Sequence, residues 1–155
     1  MNVVLVPGLL ASTSSLVPLR ARLEAEGHTC HGYGFETNTA VHGELDALAR
    51  TVRRVGPCAV VGHSLGALYA VTLALADNPY IELVIGLGTP LLGWVHPRVP
   101  YFEGRSVTDG LLPLWGPDEV KRFCTLHILL PFSQVVQDWV LEKLASVPFS
   151  EGGRW

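Results

Sequence analysis

The chain has 155 residues, long enough for one domain with a real core, and it is apolar for a globular chain, at 48% hydrophobic and 16% charged. Its net charge is −3 with no dense basic patch, which argues against a nucleic-acid partner. No apolar run reaches the roughly 18 residues of a transmembrane segment, so the excess apolarity points to a sheet covered on both faces.

The elements follow in order. Asn2–Val6 reads as a strand, closed by Pro7-Gly8 and a polar turn through Ser12, Thr13, Ser14 and Ser15. No secretory signal precedes it, so the expected location is the cytoplasm unless an export segment has been removed. A helix is expected over Val17–Glu26, with Pro18 in its first turn and Gly27 as its stop. Thr29–Tyr33 is a short strand candidate. A helix over Ala40–Val55 places Leu45, Leu48, Ala49 and Val52 on one face. Cys58–Val61 and Ile81–Leu87 read as buried strands, with an alanine- and leucine-rich helix between them. After a Pro-rich loop comes a poor strand candidate, Tyr101–Val107, with Gly104 inside it. Asp118-Glu119 resemble the acidic first turn of a short helix, Phe123–Leu126 a last short strand, and Ser133–Ala145 a closing amphipathic helix. Strands alternating with helices predict about six mostly parallel strands, helices on both faces, and a single domain over residues 1–155.

Gly62-His63-Ser64-Leu65-Gly66 follows the strand at Cys58 and opens a helix. Such a turn lifts one serine out of the fold, its glycines removing side chains that would collide with nearby backbone. A serine hydroxyl needs a base and an orienting carboxylate, which follow the serine in the order acid, histidine on this kind of scaffold. Two histidines come after Ser64. His96 would leave only Asp77 or Glu82 as the acid, both expected to point away from the carboxyl edge of the sheet. His127 leaves Glu103, Asp109, Asp118 and Glu119. Asp109, in a Gly-containing turn directly after a strand candidate, is the choice, with Asp118 and Glu103 as alternatives. Ser64, Asp109 and His127 all fall in turns after strands, on the edge where ligands bind in parallel sheets. His63 is expected to pack rather than to act as the base, His96 to sit on the cleft rim, and His28, His31 and His42 to lie on the surface. Oxyanion donors are expected from the backbone N–H groups of Leu65 and of Leu9 in the turn after the first strand. The three cysteines Cys30, Cys58 and Cys124 lack metal-ligand spacing; Cys58 and Cys124 lie in apolar segments and are expected to be buried, which fits a reducing compartment. With no metal cluster and no nucleotide loop in view, the expectation is no metal and no cofactor.

These residues resemble the α/β-hydrolase family and, within it, small bacterial lipases and esterases. Val3-Val4-Leu5-Val6-Pro7-Gly8-Leu9 is similar to the opening strand and oxyanion loop, although position 7 is proline where the family commonly has histidine. Gly62–Gly66 matches the elbow, and Gly88-Thr89-Pro90-Leu91-Leu92-Gly93 resembles a Gly-Thr-Pro-x-x-Gly segment common in lipases. Thr108–Leu114 looks like the acid turn, and His127–Leu130 like the histidine turn before the final helix. The chain is short for the family, without a sizeable cap. The resemblance thus implies a minimal α/β-hydrolase with an open cleft rimmed by Leu9, Leu10, Leu91, Leu92, Trp94, Leu112 and Trp115.

The expected activity is hydrolysis of small-molecule aliphatic esters through an acyl-serine, without a rate jump at a lipid–water interface. A thioesterase or acyltransferase on the same triad, or a non-catalytic binder on a hydrolase scaffold, are the alternatives. Chain length of the acyl group and oligomeric state are not legible from the sequence.

Overall fold

The computed structural model describes residues 1–33, 43–90, 93–94, 96–109 and 114–148. Six strands form one parallel sheet: β1 (Asn2–Val6), β2 (Thr29–Gly32), β3 (Cys58–His63), β4 (Ile81–Leu87), β6 (Tyr101–Ser106) and β8 (Glu119–Phe123), in the order β2-β1-β3-β4-β6-β8. Two further strands of two residues each, β5 (Gly93–Trp94) and β7 (Leu114–Trp115), pair with one another outside this sheet.

Alternate residues of a strand face opposite sides of a sheet, so a fully buried strand must be apolar throughout. In β1, Val3 and Leu5 pack toward α1 (Val17–Ala25) and α4 (Gln134–Ser146), joining Leu19, Leu23, Val136, Trp139, Val140 and Leu144. Val4 and Val6 face the other way, toward α2 (Glu44–Val55) and α3 (Leu65–Leu75), against Leu48, Val52, Ala70 and Val71. The continuous apolar runs of the sequence are therefore strands covered on both faces.

The strand order reverses at β1: the chain first adds β2 on one side, then β3 and the rest on the other. The carboxyl ends of β1 and β3 thus flank the crevice where parallel sheets of this type bind ligands.

Three expectations are corrected. Asp118-Glu119 begin no helix; Glu119 opens β8, and the strand ends at Phe123 where the sequence suggested it would begin. β8 is an edge strand, and its middle residues Val120, Lys121 and Arg122 are exposed, so it lacks the apolar run by which the inner strands are recognised. Cys124, placed by the sequence in an apolar strand, lies just past β8 and is exposed, whereas Cys30 and Cys58 are buried. The Tyr101–Val107 strand candidate, by contrast, is present as β6, and Gly104 fits inside it because the Trp139 ring packs there: a Cβ at 104 would come within 2.9 Å of Trp139 Cζ3.

Candidate active site

Ser64 stands between β3 and α3 with φ 52° and ψ −120°, a conformation costly for any residue with a side chain. Two glycines make the turn possible. A Cβ on Gly62 would lie 2.4 Å from the Ala67 amide nitrogen, and one on Gly66 would lie 2.3 Å from the Val6 carbonyl oxygen. Ser64 is also tied down by its backbone: its N–H donates to Leu87 O at 2.8 Å, and its carbonyl accepts from Ala67 N at 3.0 Å. Leu65 is the first residue of α3, where an amide has no acceptor within the helix.

His127 begins a 3-10 turn, His127–Phe132, and its Nδ1 donates to Asp109 Oδ1 at 2.6 Å. That bond puts the neutral imidazole's hydrogen on Nδ1 and leaves Nε2 as a base. Asp109 is held in turn, with its Oδ2 accepting from the Ser106 amide at 2.7 Å. Thr108 Oγ1 lies 2.6 Å from Ser106 Oγ and accepts from the His127 amide at 3.3 Å, while Ser106 Oγ donates to Thr125 O. One hydroxyl pair thus ties the turn after β6 to the turn after β8. The Asp109 side chain is 11% exposed and that of His127 32%, so the acid is shielded while the imidazole remains reachable.

Ser64 and His127 both lie against the end of β4. Ser64 bonds to Leu87, and the His127 ring rests on Gly88, where a Cβ would lie 2.5 Å from its Cε1. Gly88 has φ +70°, so glycine serves both the backbone and the ring. The turn after β1 closes the other side: a Cβ on Gly8 would lie 3.2 Å from Ser64 Cβ. In that turn Leu9 and Leu10 are both exposed, Leu10 at 75% and with φ 56°.

Other acids and histidines weighed on the sequence are engaged elsewhere. Glu103 is fully buried beneath the site, accepting from Thr89 N at 2.8 Å, Thr89 Oγ1 at 2.6 Å and Tyr101 Oη at 2.7 Å. Burial pushes its carboxyl above the usual range, against the pull of those bonds and of Arg105. Asp118 accepts from the Tyr101 amide at 2.8 Å, and Glu119 from Trp139 and Lys143. Asp77 pairs with Arg98 at 3.4 Å, and His96 Nδ1 bonds to Gly116 O at 3.1 Å.

Of the expected rim, Leu91, Leu92 and Leu112 lie outside the described residues. The backbones of Trp94 and Trp115 are paired across β5 and β7, which joins the two rim segments. Sequence reasoning missed Ile128 and Leu129, exposed apolar residues directly after His127, and the Ser106–Thr108 support. Serine and threonine flanking an acid turn are too common to have flagged it. His63, expected only to pack, also hydrogen-bonds through Nε2 to His127 O at 3.0 Å. Among the described residues no group of three His, Cys, Asp or Glu side chains could hold a metal ion, and no helix is long and apolar enough to cross a membrane.

The elbow turn at Ser64 and the Asp109–His127 pair lie at the carboxyl edge of a parallel sheet, and the chain as a whole is matched by a family model. Residues 3–148 match the alpha/beta hydrolase family. The chain belongs to that family. No curated protein sequence matches it. Among solved structures, a methylesterase from Arabidopsis is similar at TM-score 0.73 and 11% identity, over 95% of this chain and 100% of that one. Polyneuridine aldehyde esterase is similar at TM-score 0.72 and 12% identity, over 93% and 99%. A lipase-esterase related protein from Clostridium acetobutylicum is similar at TM-score 0.68 and 14% identity, over 95% and 94%. At such identities the similarity speaks for the α/β-hydrolase fold.

Proposed function

We propose that this α/β-hydrolase is a serine carboxylic ester hydrolase acting on aliphatic acyl esters through an acyl-serine. The observation that carries the reading is the 2.6 Å bond from His127 Nδ1 to Asp109 Oδ1, on the same sheet edge as the elbow serine. Ser64 Oγ attacks the ester carbonyl carbon and passes its proton to His127 Nε2. Asp109 holds the imidazole in the required tautomer and offsets the charge it gains. The amides of Leu9 and Leu65 donate to the oxyanion. The C–O bond then breaks, and His127 returns the proton to the departing alkoxide. Water, deprotonated by His127, attacks the acyl-serine and releases the carboxylic acid, with the proton returning to Ser64. Leu10, Leu91, Leu92, Trp94, Leu112 and Trp115 are the proposed acyl-binding residues; over the cycle one ester and one water become an alcohol and a carboxylic acid, and Ser64 and His127 regain their starting protonation.

The test is hydrolysis of p-nitrophenyl esters from acetyl to dodecanoyl, with Ser64→Ala beside the parent. The expected outcome is saturable turnover by the parent without a jump above substrate solubility, and a fall of at least about a thousandfold in the variant. Equal turnover by folded Ser64→Ala would refute the serine mechanism. Transfer to an added alcohol in excess of hydrolysis would reassign the protein to the acyltransferases.

A further inference from the structure

His63 adjoins three parts of the site. Its backbone precedes Ser64, and its Nε2–H donates to His127 O at 3.0 Å. Its Nδ1 faces the turn after β1, where a Cβ on Gly8 would lie 3.2 Å away. Ring centroids of His63 and His127 are 5.0 Å apart. The residue is only 7% exposed, and its Nδ1 finds no hydrogen-bond partner among the described residues. Packing alone would not call for this side chain. An apolar ring fills the same space without burying a bare acceptor, an arrangement that costs stability. What an apolar ring lacks is the donor to the backbone of His127.

That donor has a definite task. His127 begins a 3-10 turn, and its position depends on few ties: its amide to Thr108 Oγ1 at 3.3 Å, its ring to Asp109, and its carbonyl to His63. The first two come from the turn after β6. Among the hydrogen bonds of the described residues, the third alone ties His127 to the segment that carries Ser64, and it does so through the residue immediately before the serine.

We infer that His63 is a positioning residue: its Nε2–H clamps the carbonyl of His127 and so sets the distance between base and nucleophile. This rests on the proposed roles of Ser64 and His127. Burial keeps the His63 imidazole well below its ordinary range, at about 4, so the ring stays neutral at working pH and keeps the tautomer that donates from Nε2.

Three variants separate clamping from packing: His63→Leu fills space without a donor, His63→Gln carries an N–H to about the Nε2 position, and His63→Asn stops one methylene short. Each is assayed for kcat and KM on the best p-nitrophenyl ester and for the rate of fluorophosphonate labelling of Ser64, with urea midpoints measured alongside. The expected result is a kcat and labelling rate lower by about ten- to a hundredfold in Leu and Asn, KM within about twofold, and recovery to within about threefold of the parent in Gln. Equal kcat in all three folded variants overturns the clamp, as does a loss in Gln as large as in Leu. If His63→Leu does not fold, Gln against Asn decides by the same criteria. Failure of the triad reading shows separately, as turnover retained by Ser64→Ala or by His127→Ala.

Discussion

Single positions at this site do more than one job. Gly88 has φ +70° and also lies beneath the His127 ring, where a methyl would approach Nδ1 to 2.6 Å. Gly88→Ala is expected to displace that ring and lower kcat at least about tenfold, beyond the about 1 kcal/mol set by the left-handed backbone. Steady-state kinetics beside a urea titration check this, and an unchanged kcat contradicts it. His63 also links the site to stability. Its imidazole falls from 6.5 to about 4, first through burial and then through the His127 charge, against the bond to His127 O. The unfolded chain therefore takes up a proton below pH 6.5 that the folded chain refuses until about pH 4. The stability due to neutral His63 is full above 6.5 and is lost as pH falls toward 4, about 3 kcal/mol in all. Urea midpoints at pH 7 and pH 4 should show this loss in the parent and lack it in His63→Gln; equal losses in the two would contradict it.

At the scale of elements, the parallel sheet brings distant segments to one edge. Ser64, Asp109 and His127 each follow the carboxyl end of a strand, β3, β6 and β8. His127 follows β8, an edge strand that pairs with β6 along its length and packs against Trp139 of α4. Trp139 donates from Nε1 to Glu119 Oε1 at 3.0 Å, stacks edge-on against Phe123 at 5.5 Å and fills the space above Gly104. Trp139→Ala removes a side chain only 2% exposed and is expected to cost about 3–5 kcal/mol. Trp139→Phe keeps most of the packing and should cost less than half as much. Urea denaturation of both checks the order, and equal midpoints would show that α4 does not hold the edge.

For the molecule as a whole, two apolar layers enclose the sheet, and this governs its thiols. Cys30 and Cys58 lie in those layers, and burial first of all pushes their thiols up to about 11 and about 12. Cys124 is exposed at the end of β8. A thiol reagent such as Ellman's should find one fast-reacting cysteine in the native protein and all three in denaturant. Rapid reaction of more than one under native conditions would mean that the layers open far more readily than the packing implies.

Much of this was legible in the residue order because it is local. Asn2–Val6 and Ile81–Leu87 read as strands with the bounds they have, since doubly covered strands are apolar at every position. The serine turn was legible because the collision that demands Gly62 and Gly66 comes from backbone next to it in sequence or paired beside it. Chain order and a place after strand candidates single out Asp109 and His127, and the two are hydrogen-bonded to one another at 2.6 Å. The tertiary structure alone decided what depends on contacts between segments far apart. The edge strand β8 has no apolar signature because one side of it has no neighbour, so its bounds came from pairing with β6 and packing against α4. Cys124 is exposed for the same reason, lying just past that edge. The bond of His63 to His127 spans 64 residues of sequence. A side chain beside Ser64 carries no local mark of a partner so distant; only folding both strands into one sheet makes them neighbours.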